Sequence, residues 1–370
     1  MFKILGGTVL WLVVAFLLSF ILVPPFLDRI YYEGEASANF DGERFFNPDE
    51  GEGEWEGDPT GRGDGRRNRS SFLVRLILGD DRPEWPEAVA IERAVPERRV
   101  MGDRLVVTWV GHSTVLIQTA NLNILTDPIW SDHATPFPPL GPRRVSPPGV
   151  AFGDLPPIDL VLVSHNHYDH MDLPTLRRLW ERDRPLIVTS LGNDSVITQS
   201  GAEAVARDWG QRVAVNDNVS VIVTRNHHWG SRWFVDRNRA LWSSFVIETP
   251  GGNIFFAGDT GPGDMRWPGE AAAYGPVRLA LIPIGAFRFE AGQNWSGSHI
   301  GPDHAVRVFE ALGAAYALGI HWRTFRLSWE AIETPRELLH EHLAEAGIGA
   351  GRFRAVPVAT VWDVPELSER

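Results

Sequence analysis

The stretch LVLVSHNHYDHMD, residues 160–172, constrains the fold and chemistry of this chain more than any other. An aliphatic run typical of a buried strand ends in three histidines and two aspartates. Residues two apart in a strand point the same way, so His165 and His167 can reach one metal ion. Asp169 and His170 follow in the turn, within reach of a second ion. Imidazole and carboxylate groups bind zinc and related divalent ions. Burying so many of them without a metal would be costly, so the stretch predicts a metal site at a strand end.

Three later aliphatic runs end in the same types of residue. VIVTRNHHWG offers His227 or His228, NIFFAGDTG offers Asp259, and YALGIHW offers His321. Each signal is weak alone, because an aspartate after a strand often only forms a turn and a histidine beside tryptophan is often only packed. Loops at one edge of a sheet are where α/β proteins form their sites. We therefore expect these residues to complete a site for two metals.

The remaining globular sequence predicts a layered α/β domain. RLVVTWV, TVLIQT and NILTD are predicted strands separated by the short turns GHS and ANL, as in hairpins. Further strand-like runs alternate with helical stretches such as PDHAVRVFEALG and PRELLHEHLAEAG, which is the arrangement of α/β folds. DLPTLRRLWERD is predicted to be a helix with Asp172 as its N-cap and Pro174 in its first turn.

Residues 4–23, ILGGTVLWLVVAFLLSFILV, predict a retained transmembrane anchor, because this uncharged run has 20 residues and about 20 apolar residues span a bilayer core. A signal-peptide core is usually shorter, ~7–15 residues. The positive charges on the two sides of this run nearly balance, with Lys3 before it and Arg29 and Arg44 after it. We favour an orientation that places the domain on the outer face of the cytoplasmic membrane. Residues 47–70 are rich in glycine and charge and predict a flexible linker. The globular domain is then residues 71–370.

Composition excludes several classes of function. The chain has no cysteine, so disulfides and thiolate metal ligands are excluded. Its formal net charge is −12, which argues against nucleic acid as the main partner, since phosphate-backbone binding needs clustered cations. No glycine-rich phosphate loop is found, so nucleotide-driven chemistry is not expected. The sequence does not indicate an oligomeric state.

Several motifs together resemble the metallo-β-lactamase superfamily, and within it the N-acylphosphatidylethanolamine phospholipase D-like group. They are WVGHSTVLIQ, LTDPIW, GPRRVSPP, VSHNHYDHMD, FAGDTG, IPIGAF and IHWRTF. The resemblance extends from about Phe40 to the C-terminus. It implies a four-layer αββα sandwich with two metal ions, most simply zinc, at one edge. Iron or manganese could occupy the same donors.

The resemblance also implies a role for each candidate residue. The first metal would be held by His165, His167 and His228, and the second by Asp169, His170 and His321, with Asp259 bridging them. His228 is preferred to His227 because the family's ligand directly precedes a tryptophan, here Trp229.

Other residues are given supporting roles. Asp127 would orient a ligand histidine or simply end a strand, and His299 would lie near the metals, where it contacts substrate or begins a helix. His112 is assigned a structural or supporting role. The candidate catalytic residues are therefore Asp169, Asp259 and His299.

The function expected from these residues is phosphodiester hydrolysis of phospholipase D type. Two metals about 3.5–4 Å apart would convert a water between them into a bridging hydroxide, which attacks phosphorus in line. The expected substrate is N-acylphosphatidylethanolamine or a related membrane phospholipid. Arg143 and Arg144 are predicted to contact its phosphate. SFLVRLIL, residues 71–78, together with Trp85, could line an acyl groove or form an ordinary core helix.

Two alternatives stay open at this point. One is hydrolysis of another bond, such as a lactone, a β-lactam or a different phosphodiester; an RNA nuclease would share the motif, but the acidic charge and the anchor argue against it. The other is a non-catalytic metal-binding membrane protein. All seven predicted ligand positions are filled, which favours an enzyme.

Overall fold

The computed structural model describes residues 2–22, 29–49, 82–233, 235–289, 293 and 295–367. Its strands are β1 (Leu105–Gly111), β2 (Thr114–Thr119), β3 (Leu122–Thr126), β4 (Leu160–Val163), β5 (Leu186–Ser190), β6 (Val205–Arg207), β7 (Arg212–Ala214), β8 (Ser220–Thr224), β9 (Ser244–Glu248), β10 (Asn253–Phe256), β11 (Val277–Pro283), β12 (Tyr316–Ile320), β13 (Phe353–Arg354) and β14 (Val361–Val364). Its α-helices are α1 (Phe2–Leu22), α2 (Leu173–Asp183), α3 (Asn193–Ile197), α4 (Trp267–Ala272), α5 (Pro302–Ala311) and α6 (Thr334–Glu345).

Two mixed sheets of seven strands pack face to face. The first has the order β14-β1-β2-β3-β4-β5-β6 and the second the order β13-β12-β11-β10-β9-β8-β7. Side chains such as Trp109 and Phe245 meet between the sheets. Helices α2 and α3 cover the outer face of the first sheet, while α5 packs on β11 of the second sheet and α6 packs on α5. The predicted α/β sandwich is thereby confirmed.

Strand β4 is buried on both faces, which explains its unbroken aliphatic sequence. Leu160 and Leu162 point into the core between the sheets, whereas Val161 and Val163 point into the core beneath α2 and α3. It pairs in parallel with β3 and β5, and central parallel strands need apolar side chains on both sides. The histidine-rich loop therefore begins at a strand that is packed on both faces and paired on both edges.

Helix α2 begins as predicted, but its capping interaction differs. Asp172 stands at the N-cap position without a side-chain capping hydrogen bond. Its carboxylate instead accepts hydrogen bonds from Ser131 Oγ at 2.8 Å and Thr175 Oγ1 at 2.6 Å. Asp172 is therefore the N-cap residue, as predicted, but its carboxylate binds the hydroxyls of Ser131 and Thr175 instead of a backbone N–H of the first turn.

The predicted anchor coincides with α1 (Phe2–Leu22). Within the described ranges, no helix has both the length and the hydropathy that crossing a bilayer requires. The anchor therefore stays a prediction. Residues 50–70 of the predicted linker and the whole of SFLVRLIL lie outside the described residues. Trp85 is half-buried and donates a hydrogen bond to the Glu330 carbonyl at 3.0 Å.

Residues 29–49, here called the N-terminal strap, pack along the domain. Phe40 and Phe45 are buried against Leu241 and Trp242, and the Tyr31 hydroxyl donates to Asp236 at 2.8 Å. The strap includes residues 47–49, the start of the predicted linker. These three residues are not linker, since Asn47 and Asp49 at their two ends are buried.

Candidate metal centre

The chemistry-bearing side chains come from loops at one edge of the sandwich. Asp127 follows β3 directly, and the cluster from His165 to His170 follows β4. His228, Asp259 and His321 follow β8, β10 and β12. Because each loop starts where a buried strand stops, the two sheets bring these residues together.

The predicted ligands form overlapping groups whose donor atoms lie within 4.8 Å of one another. The groups are His165, His167 and His228; His112, Asp169, His170 and His321; His165, His170 and Asp259; and His228, Asp259 and His299.

The first group offers three imidazole nitrogens. His165 Nε2 lies 2.7 Å from His167 Nδ1, which lies 3.4 Å from His228 Nε2. His227 faces the other way, with its Nδ1 3.0 Å from the Asp49 carboxylate. Of His227 and His228, it is thus His228 whose ring points towards the other predicted ligands.

The second group surrounds the Asp259 carboxylate. Its Oδ2 lies 3.1 Å from both His170 Nε2 and His321 Nε2. Asp169 Oδ2 lies 3.4 Å from the same two nitrogens. Asp259 is also in the groups of His165 and His228, so it stands between the two sets of donors, where a bridging ligand would stand.

This donor set fits divalent metal ions. Among the described residues, His167 Nε2, Asp259 Oδ1 and His321 Nδ1 are buried without a hydrogen-bond partner, and buried polar groups in proteins are normally satisfied. Imidazole nitrogens as close as those of His165 and His167 repel unless a proton or a cation lies between them. Nitrogen and carboxylate donors without thiolates suit zinc and other borderline or harder divalent ions.

Asp127 lies behind two of the predicted ligands, His165 and His170. It is completely buried, and its Oδ2 lies 2.6 Å from His170 Nδ1. It also accepts hydrogen bonds from Ser164 N at 2.7 Å and Ser164 Oγ at 2.6 Å, and that hydroxyl lies 2.9 Å from His165 Nδ1. A carboxylate on Nδ1 leaves Nε2 free to face a metal. Of the two roles open to Asp127, the geometry favours orientation of ligands.

The surroundings shift the pKa values of the clustered histidines in two directions. Burial lowers the pKa of His167 to about 3, although Asp169 opposes this shift, and burial also lowers the pKa of His165 and His228 well below the usual value. Burial acts in the same direction on His321, but Asp259 and Asp169 outweigh it and raise the pKa to about 9. His170 is raised well above its usual pKa in the same way. The upward shifts of His170 and His321 therefore come from the carboxylates next to their rings.

His112 directly contacts a predicted ligand and belongs to one of the donor groups. Its Nε2 is 2.8 Å from Asp169 Oδ2, and its ring centroid is 4.0 Å from that of His321. Its carbonyl accepts a hydrogen bond from His321 N at 3.0 Å. The turn between β1 and β2 opens at the same edge as the other loops, and a histidine in that turn was the available sequence signal.

The remaining predicted residues have different outcomes. His299 reaches the site, with Nδ1 3.7 Å from Asp259 Oδ2. Arg144 is buried, and its guanidinium donates to the carbonyls of Ser131 and Ile129. A phosphate contact by Arg144 is therefore not supported, because backbone acceptors already use its donors. Arg143 is exposed.

A cavity of about 760 Å³ is lined partly by Tyr168, which lies between two predicted ligands in the sequence, although no predicted ligand lines the cavity itself. Arg29 from the N-terminal strap and Arg232 also line it, together with Tyr31 and Trp233. The Arg232 guanidinium stacks 4.0 Å from the centroid of the Tyr168 ring. Cations and aromatic rings thus share one cavity.

Comparison with known proteins finds related sequences. The profile of the β-lactamase superfamily domain matches residues 122–322, more than half of the chain. An uncharacterized protein of Mycobacterium tuberculosis is 36% identical over 231 residues, which are 61% of this chain and 60% of that protein. The N-acyl-phosphatidylethanolamine-hydrolyzing phospholipase D 1 of Caenorhabditis elegans is 29% identical over 84% of this chain and 90% of that protein. The mitochondrial N-acyl-phosphatidylethanolamine-hydrolyzing phospholipase D of Saccharomyces cerevisiae is 36% identical over 65% of this chain and 52% of that protein.

Solved structures share the fold. A metallo hydrolase from the archaeon Ignicoccus hospitalis superposes with a TM-score of 0.53 at 18% identity, over 72% of this chain and all of that chain. The match with the mycobacterial relative spans only 60% of that protein's length.

Proposed function

This chain belongs to the metallo-β-lactamase superfamily, and from that premise we propose that it is a metal-dependent phosphodiesterase of phospholipase D type. Its substrate would be N-acylphosphatidylethanolamine or a related phospholipid. The proposal rests above all on the convergence of the predicted ligands at one sheet edge, in a chain related to two enzymes named for hydrolysis of that lipid.

Seven residues would hold two divalent ions, with zinc as the proposed metal. The first would be bound by His165, His167 and His228, and the second by Asp169, His170 and His321, with Asp259 between them. When bound, such a pair supplies Lewis-acid activation of water and neutralises charge on a phosphoryl oxygen. Asp127 keeps His170 in the tautomer that presents Nε2 to the site.

Two further residues border the reacting region. His299, whose Nδ1 lies 3.7 Å from Asp259 Oδ2, would contact the substrate as a neutral imidazole, because burial lowers its pKa to about 3. Asp169 has the most exposed side chain of the second group, at 15% against 1% or less for Asp259, His170 and His321, so the centre opens towards solvent on its side.

The cavity next to Tyr168 is the proposed site for the lipid headgroup. Arg29 provides positive charge and Tyr31 and Trp233 provide apolar ring surface, although Asp132 and Asp172 share the lining and Arg232 already donates to the carbonyls of Asn166 and Met171. Arginine pairs with phosphate through charge-assisted hydrogen bonds.

The proposal includes attachment to a membrane through residues 4–23, with the domain on the outer face of the cytoplasmic membrane. Its support is the uncharged sequence of this run and the exposure of Leu10, Trp11 and Leu12 on α1, each above 60%. Contiguous exposed apolar surface of this kind marks an interaction site.

Because the chain has no cysteine, one introduced thiol reports its location. Glu181→Cys, on the exposed side of α2, should react with a membrane-impermeant maleimide on intact cells. Recovery of the chain in the soluble fraction would contradict the anchor, and labelling only after lysis would contradict the outer face.

The substrate is tested with purified full-length protein and N-acylphosphatidylethanolamine in mixed micelles. Mass spectrometry should detect phosphatidic acid and an N-acylethanolamine with the native chain, and neither product with His165→Ala. If metal-loaded protein releases neither product, the proposed substrate is wrong, and other phosphodiesters and lactones are to be assayed with the same pair of proteins.

A further inference from the structure

The N-terminal strap touches the backbone of a predicted metal ligand. Asn47 Nδ2 donates to the His228 carbonyl at 2.9 Å, and Asn47 Oδ1 accepts from His228 N at 3.3 Å. The same oxygen accepts from Trp242 Nε1 at 3.0 Å. A primary amide carries a donor and an acceptor side by side, so Asn47 holds both backbone groups of one residue.

The strap makes a second contact two residues later. Asp49 Oδ2 accepts a hydrogen bond from Asp264 N at 2.7 Å, and the Asp49 carboxylate lies 3.0 Å from His227 Nδ1. Both contacts are partly buried, with Asp49 only 7% exposed. Asp49 therefore joins the loop after β8, which carries His228, to the loop after β10, which carries Asp259.

The strap and the loops after β8 and β10 are closely packed where they meet. Gly263 has a φ of +51°, and a Cβ there would collide with Asp49 Oδ2 and His227 Nδ1. The two loops also bond directly, since Gly261 N donates to the His227 carbonyl at 2.6 Å. A shift of the strap would therefore be transmitted to the ligand-bearing loops rather than absorbed at its surface.

We propose that the N-terminal strap is a positioning element of the metal centre, in which Asn47 fixes the His228 backbone and Asp49 locks the loops of His228 and Asp259 together. Neither residue contacts a metal donor atom; each acts through the residues that do. The inference rests on the metal centre of the proposed function but not on its substrate.

A matched control lies on the same strap. Asn39 is as buried as Asn47, 5% against 4% exposed, and its Nδ2 donates to Asp208 Oδ1 at 2.8 Å. Asp208 belongs to the segment between β6 and β7, outside the loops that carry the ligands. Asn39→Ala thus removes a comparable strap contact without touching the centre.

The test measures metal release from the full-length zinc-loaded protein to a chromogenic chelator, with no lipid present. Asn47→Ala and Asp49→Ala should lose one of the two zinc ions at least tenfold faster than the native chain, since loss of groups that support ligands weakens metal binding about 10–100-fold. Asn39→Ala should release zinc at the native rate, even if its Tm falls as far as the Tm of Asn47→Ala or Asp49→Ala. Cobalt-substituted Asn47→Ala should show a changed d–d absorption spectrum.

Asn47→Asp keeps the shape and the acceptor but places a carboxylate oxygen against the His228 carbonyl, so it should also speed zinc release. It also provides the test if Asn47→Ala does not fold. Native release rates in the Asn47 variants, or equal acceleration in Asn39→Ala, would overturn the positioning role. Because the readout contains no substrate, that result would leave the lipid proposal standing, and an inactive lipid assay would leave this inference standing.

Discussion

Replacing Asp127 with asparagine should weaken the second metal site while leaving the fold intact. In the native chain the carboxylate lies 2.6 Å from His170 Nδ1 and accepts two hydrogen bonds from Ser164. Asparagine has the same shape and keeps an oxygen for Ser164 N. Its amide group then faces His170 Nδ1 with a donor, so that nitrogen must be unprotonated and the proton moves to Nε2, the atom that faces the site.

The magnitude follows from the interaction that is lost. A buried hydrogen bond to a charged group is worth about 1.5–3 kcal/mol, and each 1.4 kcal/mol is roughly a factor of ten in an equilibrium constant. The Kd of the second metal should therefore rise about 10–100-fold, which agrees with the usual effect of losing such a partner. The first site should change less, because His165 is reached only through the Ser164 hydroxyl.

The assay is competition for zinc between the protein and a chromophoric chelator near neutral pH. Asp172→Asn is the matched control, because Asp172 is also buried, at 6% exposed, and accepts hydrogen bonds from Ser131 and Thr175 without touching a ligand. Native zinc affinity in Asp127→Asn, or an equal loss in Asp172→Asn, would refute the orienting role of Asp127.

Three further predictions concern the donors themselves. Asp259→Asn should keep its circular dichroism spectrum but lose metal by elemental analysis and lose turnover; full activity would contradict a site for two metals. His228→Ala should abolish binding of the first ion in a cobalt titration, whereas His227→Ala, which removes only a contact to Asp49, should speed its loss without abolishing it. Metal binding near neutral pH should release protons, because burial lowers the pKa of His321 but Asp259 and Asp169 raise it to about 9, and binding requires the neutral ring. Affinity should thus rise with pH and level off above about 9, and calorimetry in two buffers of different ionisation enthalpy that shows no proton release would disprove this.

Most of the sandwich could be predicted because its central strands are buried on both faces. Leu160 to Val163 illustrate this, since four adjacent aliphatic residues are needed to fill two cores. The short strands β6 and β7 were not predicted because they are not buried on both faces. Val205–Arg207 is half-buried throughout and Arg212–Ala214 buries only its middle residue, so neither contains a recognisable run. Their pairing depends on neighbours that are already in place.

The centre was predictable where ligands follow strands and unpredictable where single polar side chains reach across the fold. Asn47 lies 181 positions from His228, and nothing in the local sequence indicates that partner. Arg144 shows the same limit, because its charge suggested a phosphate while its actual acceptors are carbonyl groups. Sequence shows which atoms a residue can offer; the direction in which it offers them depends on packing.

The antiparallel pairing of β14 with β1 has a consequence for synthesis of the chain. Val361 to Val364 cover the outer edge of β1, so roughly 250 residues must be added after β1 before that edge is covered, which takes on the order of 10–50 s at usual translation rates. An uncovered strand edge is a template for pairing with other chains. The outer edge of β1 in a nascent chain of this protein therefore stays open to such pairing until β14 has been made.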